Sequence, residues 1–394
     1  TQAGHRDSLG VGWLVQRNGY HHGMAEQTVP ALAAPRRQRD NPLTRSKVGL
    51  AGLAFLICMT AACFGSLPFV TATVGDTATP RYNAGEPREG RLPPMWAPVD
   101  TEQALSLNRL VADKDAARIA AEFGVDVESA RKTTSGEVAS AMRRHWDRTF
   151  LGTDELGRSL WVRALLGGAI SLGIGIAAAA ISVGIGTIYG VIAGAAGGRV
   201  DAIMMRIVDV IYGLPYILLV VLLAVAVDGF VSNNAADWDL TQSQRLWIDL
   251  ATLFIAIGGV SWLTMARVIR GQVLSLKNQP FMEAARAIGV PVHRQFLRHL
   301  LPNLLGPIIV YTTLTVPQAI LQESFLSFLG IGVKPPLPSW GNLAADGLDQ
   351  VNRHRSDWWL LLFPSVLLGS TLLALNFVGE GLREAFDPKR ERQE

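Results

Sequence analysis

The sequence predicts an all-α polytopic membrane protein with six transmembrane helices. The 394 residues are 49% hydrophobic, and their apolar residues are gathered in blocks rather than spread evenly. Each block is long enough to cross the roughly 30 Å hydrocarbon core of a bilayer as a helix. Basic residues gather at the block ends, and a net charge of +3 is too small to favour a nucleic-acid partner. Membrane lipid is therefore the expected partner.

The N-terminal part predicts a tail followed by a membrane helix. Residues 1–44 lack apolar periodicity and predict a disordered tail. Residues 45–71 form the first predicted transmembrane helix, since Val48 to Val70 carries no charge. No charged n-region with a short apolar h-region opens the sequence, so this helix is expected to be an uncleaved anchor. Basic residues before it predict a cytoplasmic N-terminus, namely Arg36, Arg37, Arg39, Arg45 and Lys47.

Residues 72–160 predict an exported loop, because long loops are translocated largely regardless of their charge. Within it, 97–149 predicts a small lobe of two or three short helices. Residues 152–163, GTDELGRSLWVR, predict a turn in which Asp154 caps and forms salt bridges, and they carry no catalytic or metal-ligand spacing. The apolar positions of the lobe are Leu105, Leu107, Leu110, Ile119, Phe123 and Val125.

Five more apolar segments complete the six crossings, and 383–394 predicts a second cytoplasmic tail. Glycines recurring every four residues predict close helix packing in the second segment. In the third segment Pro215 predicts a kink, and Arg206 and Asp209, three residues apart, predict an ion pair. The glycines are Gly186, Gly190, Gly194 and Gly198, and the segments are 165–196, 202–227, 250–270, 304–329 and 358–378.

The stretch 278–303 predicts two short amphipathic helices joined at a glycine. Asn278 is the predicted N-cap of the first helix, and Gly289 is its predicted C′ residue. Pro291 opens the second helix, which is predicted to end where Pro302 restarts the apolar run. By composition alone an ordinary interfacial loop fits equally well. The apolar stripe of the first helix is Phe281, Ala284, Ala285 and Ile288, and Glu283 and Arg286 beside it are able to pair.

The fifth segment carries a polar face on an otherwise apolar helix. Polar groups within a bilayer face protein or water rather than lipid. The face therefore lines a translocation pathway or hydrogen-bonds a neighbouring helix, and both readings stand. Its residues are Thr312, Thr315, Gln318 and Gln322, with Glu323 beside them.

The stretch 278–303 resembles the EAA loop of permeases in binding-protein-dependent ABC importers. The matching pattern is Glu283-Ala284-Ala285, then Gly289, then His299-x-Leu301-Pro302. His299 stands where the usual pattern has Ile, and RHLLPN is similar to the dipeptide/oligopeptide (C-type) branch. Further blocks resemble parts of that family, namely Arg91 to Trp96, Phe150 to Arg158 and Lys334 to Gly341. The first two are nearly adjacent in such permeases, so 97–149 is interpreted as an insertion that contacts the binding protein or decorates the surface.

The resemblance implies a non-catalytic permease subunit that moves peptides across the cell inner membrane. Residues 161–382 would form the importer core, with five helices and the EAA loop. The implied partners are a second permease forming a heterodimer, two ATPase subunits and an exported solute-binding protein. The sequence contains no G-x-x-x-x-G-K-[ST], so ATP and Mg are expected on the ATPase subunits, with no cofactor or metal in this chain. The implied ATPase-coupling residues are Glu283, Ala284, Ala285, Gly289, Leu301 and Pro302.

Other functions remain open at this point. The same class of importer could carry nickel or another small solute. A stand-alone secondary transporter would need a coupling carboxylate near the midplane, for which Glu323 is the sole candidate. A membrane hydrolase would need carboxylates near His293 and His299, and the sequence places none beside them.

Overall fold

The computed structural model describes residues 47–74, 78–146, 149–234, 241–351 and 357–386. In these ranges α-helices joined by short turns make up most of the chain. The predicted tail 1–44 lies outside the described residues, as does 387–394 of the second tail. The helices are α1 Lys47–Gly65, α2 Leu67–Thr71, α3 Thr101–Leu110, α4 Asp113–Glu122, α5 Val127–Lys132, α6 Gly136–Arg143, α7 Leu160–Ala196, α8 Gly198–Tyr212, α9 Tyr216–Asn234, α10 Gln242–Lys277, α11 Pro280–Ala287, α12 Val292–Gln295, α13 Leu301–Phe328, α14 Trp340–Asp349 and α15 Trp359–Phe386.

Six helical stretches among the described residues are long and apolar enough to cross a membrane, which confirms the predicted all-α polytopic class. The last helix, α15, continues to Phe386, past the predicted start of the second tail at residue 383. The six spans are Lys47–Thr71, Leu160–Ala196, Tyr216–Asn234, Gln244–Lys277, Val292–Phe328 and Trp359–Ala385.

The long helix α7 lies at the centre of the bundle and packs along α10, with α13 and α1 also against it. Glycines make the approach to α10 possible. A Cβ at Gly186 would lie 2.6 Å from the Met265 Cβ, and a Cβ at Gly190 would lie 2.5 Å from the Ala266 carbonyl oxygen. A Cβ at Gly194 would likewise crowd α10, so the predicted glycine seam is confirmed at these three positions. Gly198 instead starts α8 with φ +55°.

The third predicted segment, 202–227, is two helices rather than one kinked helix. Helix α8 ends at Tyr212 and α9 begins at Tyr216, with Gly213 to Pro215 between them. Pro215 lacks an N–H and disfavours the helical conformation of the residue before it, so the helix breaks here. The break leaves α8 outside the third membrane span, which begins at Tyr216.

The described residues of the 97–149 lobe form four short α-helices, α3 to α6, where two or three were predicted. They pack around a small apolar core that includes Val111, Ile119 and Met142. Helix α3 starts with a capping box in which Asp100 accepts from the Gln103 N–H. Backbone hydrogen bonds join the two ends of this segment, among them the Met95 N–H to the Thr149 carbonyl at 3.1 Å.

Candidate functional site

The first helix of the 278–303 stretch, which we call the elbow, is α11. Its N-cap is Gln279, with extended backbone angles, and Asn278 is instead the C-cap that follows α10, so the predicted N-cap was one residue early. The cause is Pro280 at the first helical position, which restricts the residue before it to an extended conformation.

Helix α11 turns one side inward and leaves the other open. Met282 and Ala285 are buried, whereas Phe281 and Ile288 are 41% and 79% exposed. The four residues of the predicted apolar stripe therefore do not share one environment. Ala285 faces the protein, whereas the other three stripe residues face outward. After the turn at Gly289, Val292 is 75% exposed. We call Phe281, Ala284, Ile288 and Val292 the elbow face.

Gly289 has φ +75°, which confirms its prediction as the C′ residue of α11. Its N–H bonds to the Arg286 carbonyl, and the Val290 N–H bonds to the Ala285 carbonyl, both at 3.0 Å. This is the Schellman arrangement that satisfies the last carbonyls of a helix. A Cβ at Gly289 would meet no heavy atom within 4 Å, so the constraint on this residue is its backbone conformation.

The second half of the elbow does not form a separate helix that ends before Pro302, as predicted. Helix α12 passes through a π-helical turn, Phe296–Leu300, directly into α13. In that turn the Leu301 N–H bonds to the Phe296 carbonyl, five residues back. Pro302 has no N–H to continue the regular ladder, which favours the wider turn. The elbow is thus continuous with the fifth membrane span.

The other predicted coupling residues differ in exposure. Glu283 and Pro302 are exposed, and Leu301 is half-buried. Within the part of the chain that the structure describes, Glu283 and Arg286, which are spaced so that they could pair, form no ion pair with each other. His293 is exposed and His299 half-buried, and the His299 carbonyl accepts a hydrogen bond from the Asn303 amide at 2.6 Å.

Ionic contacts fix the helix that leads into the elbow. Lys277, the last residue of α10, donates to the Gly194 and Ala195 carbonyls at 3.1 and 2.8 Å, at the end of α7. Arg270 bonds both carboxylate oxygens of Asp201, with 2.6 Å between Nη2 and Oδ2. This charge-assisted contact holds the pKa of Asp201 below its ordinary value.

The predicted pair of Arg206 and Asp209 is wrong. Asp209 accepts instead from Arg267 of α10 at 2.8 Å, and that guanidinium also stacks over the Tyr212 ring at 4.1 Å. The competing cation lies 58 residues away in sequence, so local spacing on α8 could not reveal it. In the sequence, the only indication of these contacts was the series of basic residues on α10, Arg267, Arg270 and Lys277, which pair with groups of α7 and α8.

A cavity of about 400 Å³ lies where the start of α9 meets α10 and α13. Apolar and uncharged polar side chains share its walls, and none of its lining residues in the described chain is Asp, Glu, Lys or Arg. Three of the four predicted pathway residues line it, whereas Thr312 does not. Its polar lining residues are Tyr212, Tyr216, Ser261, Thr264, Tyr311, Thr315, Gln318 and Gln322.

Hydrogen bonds distinguish the residues of the polar face. The Tyr216 hydroxyl donates to Gln322 Oε1 at 2.6 Å and lies 2.9 Å from Ser261 Oγ. Thr312 and Thr315 donate to carbonyls of their own helix at 2.6 and 2.7 Å. Gln322 therefore bonds a neighbouring helix and lines the cavity at the same time. Tyr216 was not predicted from the sequence.

Glu323 is fully buried and is not among the cavity-lining residues. It accepts from Ser171 of α7 at 2.8 Å and from Ser327 at 2.7 Å. The same hydroxyls accept backbone N–H groups, from Trp340 to Ser171 and from Val333 to Ser327. The carboxyl therefore joins α7, α13 and the connection to α14.

The turn at 152–163 is built around Asp154, as predicted. Its Oδ1 accepts from the backbone N–H groups of Leu156 and Arg158, at 3.0 and 2.9 Å. Its Oδ2 accepts from the side chains of Arg158 and the buried Arg163, at 2.7 and 2.8 Å. The capping and salt-bridging role predicted for Asp154 is confirmed.

Comparison with known proteins identifies the family. Residues 186–392 match the model of the binding-protein-dependent transport system inner membrane component. The chain belongs to this family. The matched region starts within α7 and includes the elbow, the cavity and Glu323.

Characterised members of this family resemble the chain over most of their own length. The chain is 47% identical over 240 residues to the oligopeptide transport system permease protein OppC of Haemophilus influenzae, covering 61% of this chain and 70% of the relative. It is 44% identical over 248 residues to the dipeptide transport system permease protein DppC of Bacillus subtilis, covering 63% and 70%. For OppC of Escherichia coli K12 the identity is 46% over 240 residues, covering 61% and 72%. The protein is thus a multi-pass membrane subunit of a transport system.

Proposed function

We propose that this chain is the permease subunit of an ABC importer that carries peptides across the cytoplasmic membrane. The relatives with 44 to 47% identity are oligopeptide and dipeptide permeases by name, which supports peptide cargo. The cavity supports the same class, because its hydroxyl and amide groups suit the neutral hydrogen-bonding backbone of a peptide. The nickel alternative has no support of this kind.

The observation that carries the proposal is the elbow face. Four exposed apolar side chains lie on α11, on the turn after it and at the start of α12, next to the charge-assisted contacts that hold α10. A group of exposed apolar side chains on an otherwise polar loop is typical of a protein–protein contact site. An ATPase subunit that binds ATP and Mg would supply it, and movement of the elbow would pass directly into α13.

The coupling residues have different roles in this proposal. Ala284 lies on the elbow face, where a small side chain permits close approach of the ATPase. Ala285 and Leu301 hold the elbow against the permease itself, since both are withdrawn from solvent. Gly289 sets the angle between the two halves, and exposed Glu283 is free to meet a cation of the partner.

A second permease subunit is the proposed partner on the cavity side. Helix α9 is largely exposed, with Leu218 at 59% and Leu222 at 62%. The cavity is lined by this chain from α9, α10 and α13, and Gln318 within it is exposed. A heterodimer would close it from the other side and turn it into a pathway, along which an exported binding protein delivers the peptide.

The proposed orientation places both termini in the cytoplasm. The elbow and helix α8 then lie inside, and they carry exposed cations such as Arg199, Arg206 and Arg286. Excess Lys and Arg in short loops marks the cytoplasmic side. The 72–160 segment, with its 97–149 insertion, then lies outside, and 161–382 forms the importer core.

The test is uptake into proteoliposomes that contain the complete importer, with its binding protein supplied. We expect ATP-dependent accumulation of a labelled peptide, competed by unlabelled peptides and not by nickel chelates. ATP-dependent nickel accumulation without peptide uptake would overturn the cargo. Uptake that proceeds without the ATPase subunits would overturn the importer class.

A further inference from the structure

Two aromatic residues stand at the two ends of the insertion. Trp96 precedes it and Phe150 follows it, and each is 54% exposed. The two chain segments that carry these rings are hydrogen-bonded to each other, with the Thr153 N–H donating to the Leu92 carbonyl at 3.0 Å. The Thr153 hydroxyl also accepts from the Leu92 N–H at 2.8 Å. The two ends of the insertion therefore lie side by side, with one exposed ring on each. We call these paired segments, 92–96 and 150–153, the neck.

Each of these rings packs near the start of a membrane span. Trp96 lies 6.0 Å from Trp358 and 5.9 Å from Phe363 between ring centroids, at the start of α15. Phe150 lies 5.7 Å from Trp161, at the start of α7, with the rings at 81°. The two apolar spans begin at Trp359 and Leu160, so both contacts lie at the start of a helix that is long and apolar enough to cross the membrane.

The exposed surface continues from these rings along the span. On α15, the helix that carries Phe363, exposed apolar side chains recur at helical spacing, namely Leu362, Val366, Leu373 and Phe377. A further exposed ring, Phe69, lies at the end of the first span, where the Arg81 guanidinium stacks over it at 4.0 Å. Tryptophan and other amphipathic groups concentrate at the boundary between headgroups and acyl chains, where one end of the ring is wet and the other apolar.

We propose that Trp96 and Phe150 bind the phospholipid interface and hold the base of the 97–149 insertion against the membrane surface. The partner is lipid, because the exposed rings are continuous with the surface of the spans. The charged residues of α3 to α6 remain in water. The inference depends on the membrane spans alone and does not require any particular cargo.

The experiment measures which quencher reaches the neck. The full chain, in the assembled importer, is placed in nanodiscs of phosphatidylcholine and phosphatidylglycerol, with the free cysteines Cys58 and Cys63 changed to alanine. A small fluorophore is attached to Trp96→Cys or to Phe150→Cys. A nitroxide on carbon 5 of a phospholipid chain reports lipid contact, and iodide reports water. Lys132→Cys, on exposed Lys132 of α5, is the matched control.

We expect the lipid nitroxide to quench both neck probes strongly and iodide to quench them weakly, with the reverse at the Lys132→Cys control. Phe150→Trp provides a second measurement that keeps an aromatic ring at the position. The tryptophan emission that it adds should be blue-shifted and quenched by the same lipid. Strong iodide quenching at the neck would overturn the proposal. So would protection that appears only when the binding protein is added, or protection from both quenchers, because each would assign the rings to a protein contact.

Discussion

The hydroxyl of Tyr216 donates to Oε1 of Gln322 at 2.6 Å and joins the start of α9 to α13 beside the cavity. Helix α9 is otherwise largely exposed, and the helical conformation is interrupted at Gly213 to Pro215 just before it. Among the described residues, this hydrogen bond is therefore one of few polar contacts that hold α9 in position. Its donor lies 106 residues from its acceptor.

Tyr216→Phe should weaken this restraint by about 1 kcal/mol, the usual net value of one hydrogen bond. We expect a lower apparent melting temperature of the purified permease complex. Tyr311→Phe is the control, since Tyr311 lines the same cavity and its hydroxyl forms no hydrogen bond with the described residues. Equal melting temperatures for the two variants would show that the Tyr216 bond does not restrain α9.

Water-accessibility should differ along the predicted polar face of α13. In a background without Cys58 and Cys63, Gln318→Cys should react rapidly with a membrane-impermeant thiol reagent, because Gln318 is exposed and lines the cavity. Thr312→Cys should react slowly, because Thr312 is half-buried outside the cavity lining. Nucleotide should change the first rate if the cavity opens and closes during transport. A faster reaction at position 312 would contradict this assignment.

The sequence predicted the features that depend on neighbours along the chain. Uncharged apolar runs predicted the six spans, and the need for positive φ predicted Gly289. Asp154 was predicted because a cap bonds N–H groups only two to four residues away. Predictions from local spacing were wrong where a residue distant in sequence made the contact instead. Asp209, for example, pairs with Arg267 and not with the neighbouring Arg206. It also missed Tyr216, whose partners come from helices that meet only in the folded bundle.

Ile288→Glu should separate docking from folding. Ile288 is 79% exposed, so the variant should insert and fold normally. If the elbow face is covered by an ATPase, loss of one buried aliphatic side chain costs about 2 kcal/mol, or roughly 30-fold in affinity. Co-purification of the ATPase subunits should fall accordingly. Val125→Glu, at an exposed apolar position of the insertion, is the matched control and should retain them. Normal retention by Ile288→Glu would exclude the elbow face as the docking surface.

The backbone of Gly289 can be tested separately from its surroundings. Apart from its chain neighbours, no heavy atom lies within 4 Å of a Cβ at this position, so within this chain the strain of substitution comes from φ +75°. Gly289→Val should cost about 1 kcal/mol or more, whereas Gly289→Asn should cost less, since asparagine tolerates this conformation. Uptake per ATP hydrolysed should follow the order Gly, Asn, Val at equal permease levels. Equal transport by the Val and Asn variants would mean that the turn is not a rigid part of the coupling.

Glu323 should act as a structural anchor for the connection between α13 and α14. Glu323→Leu would leave the hydroxyls of Ser171 and Ser327 without their buried acceptor, at about 1 to 3 kcal/mol for each unsatisfied group. Glu323→Gln keeps an acceptor and should be close to the wild type. Because the Ser327 hydroxyl also holds the Val333 N–H, the Leu variant should loosen residues 331–339. Limited proteolysis of the permease in nanodiscs should then cleave this segment faster, while Glu380→Leu, which removes an exposed carboxyl from α15, should leave the cleavage rate unchanged. A Leu variant as resistant as the Gln variant would show that the serine cluster does not depend on the carboxyl.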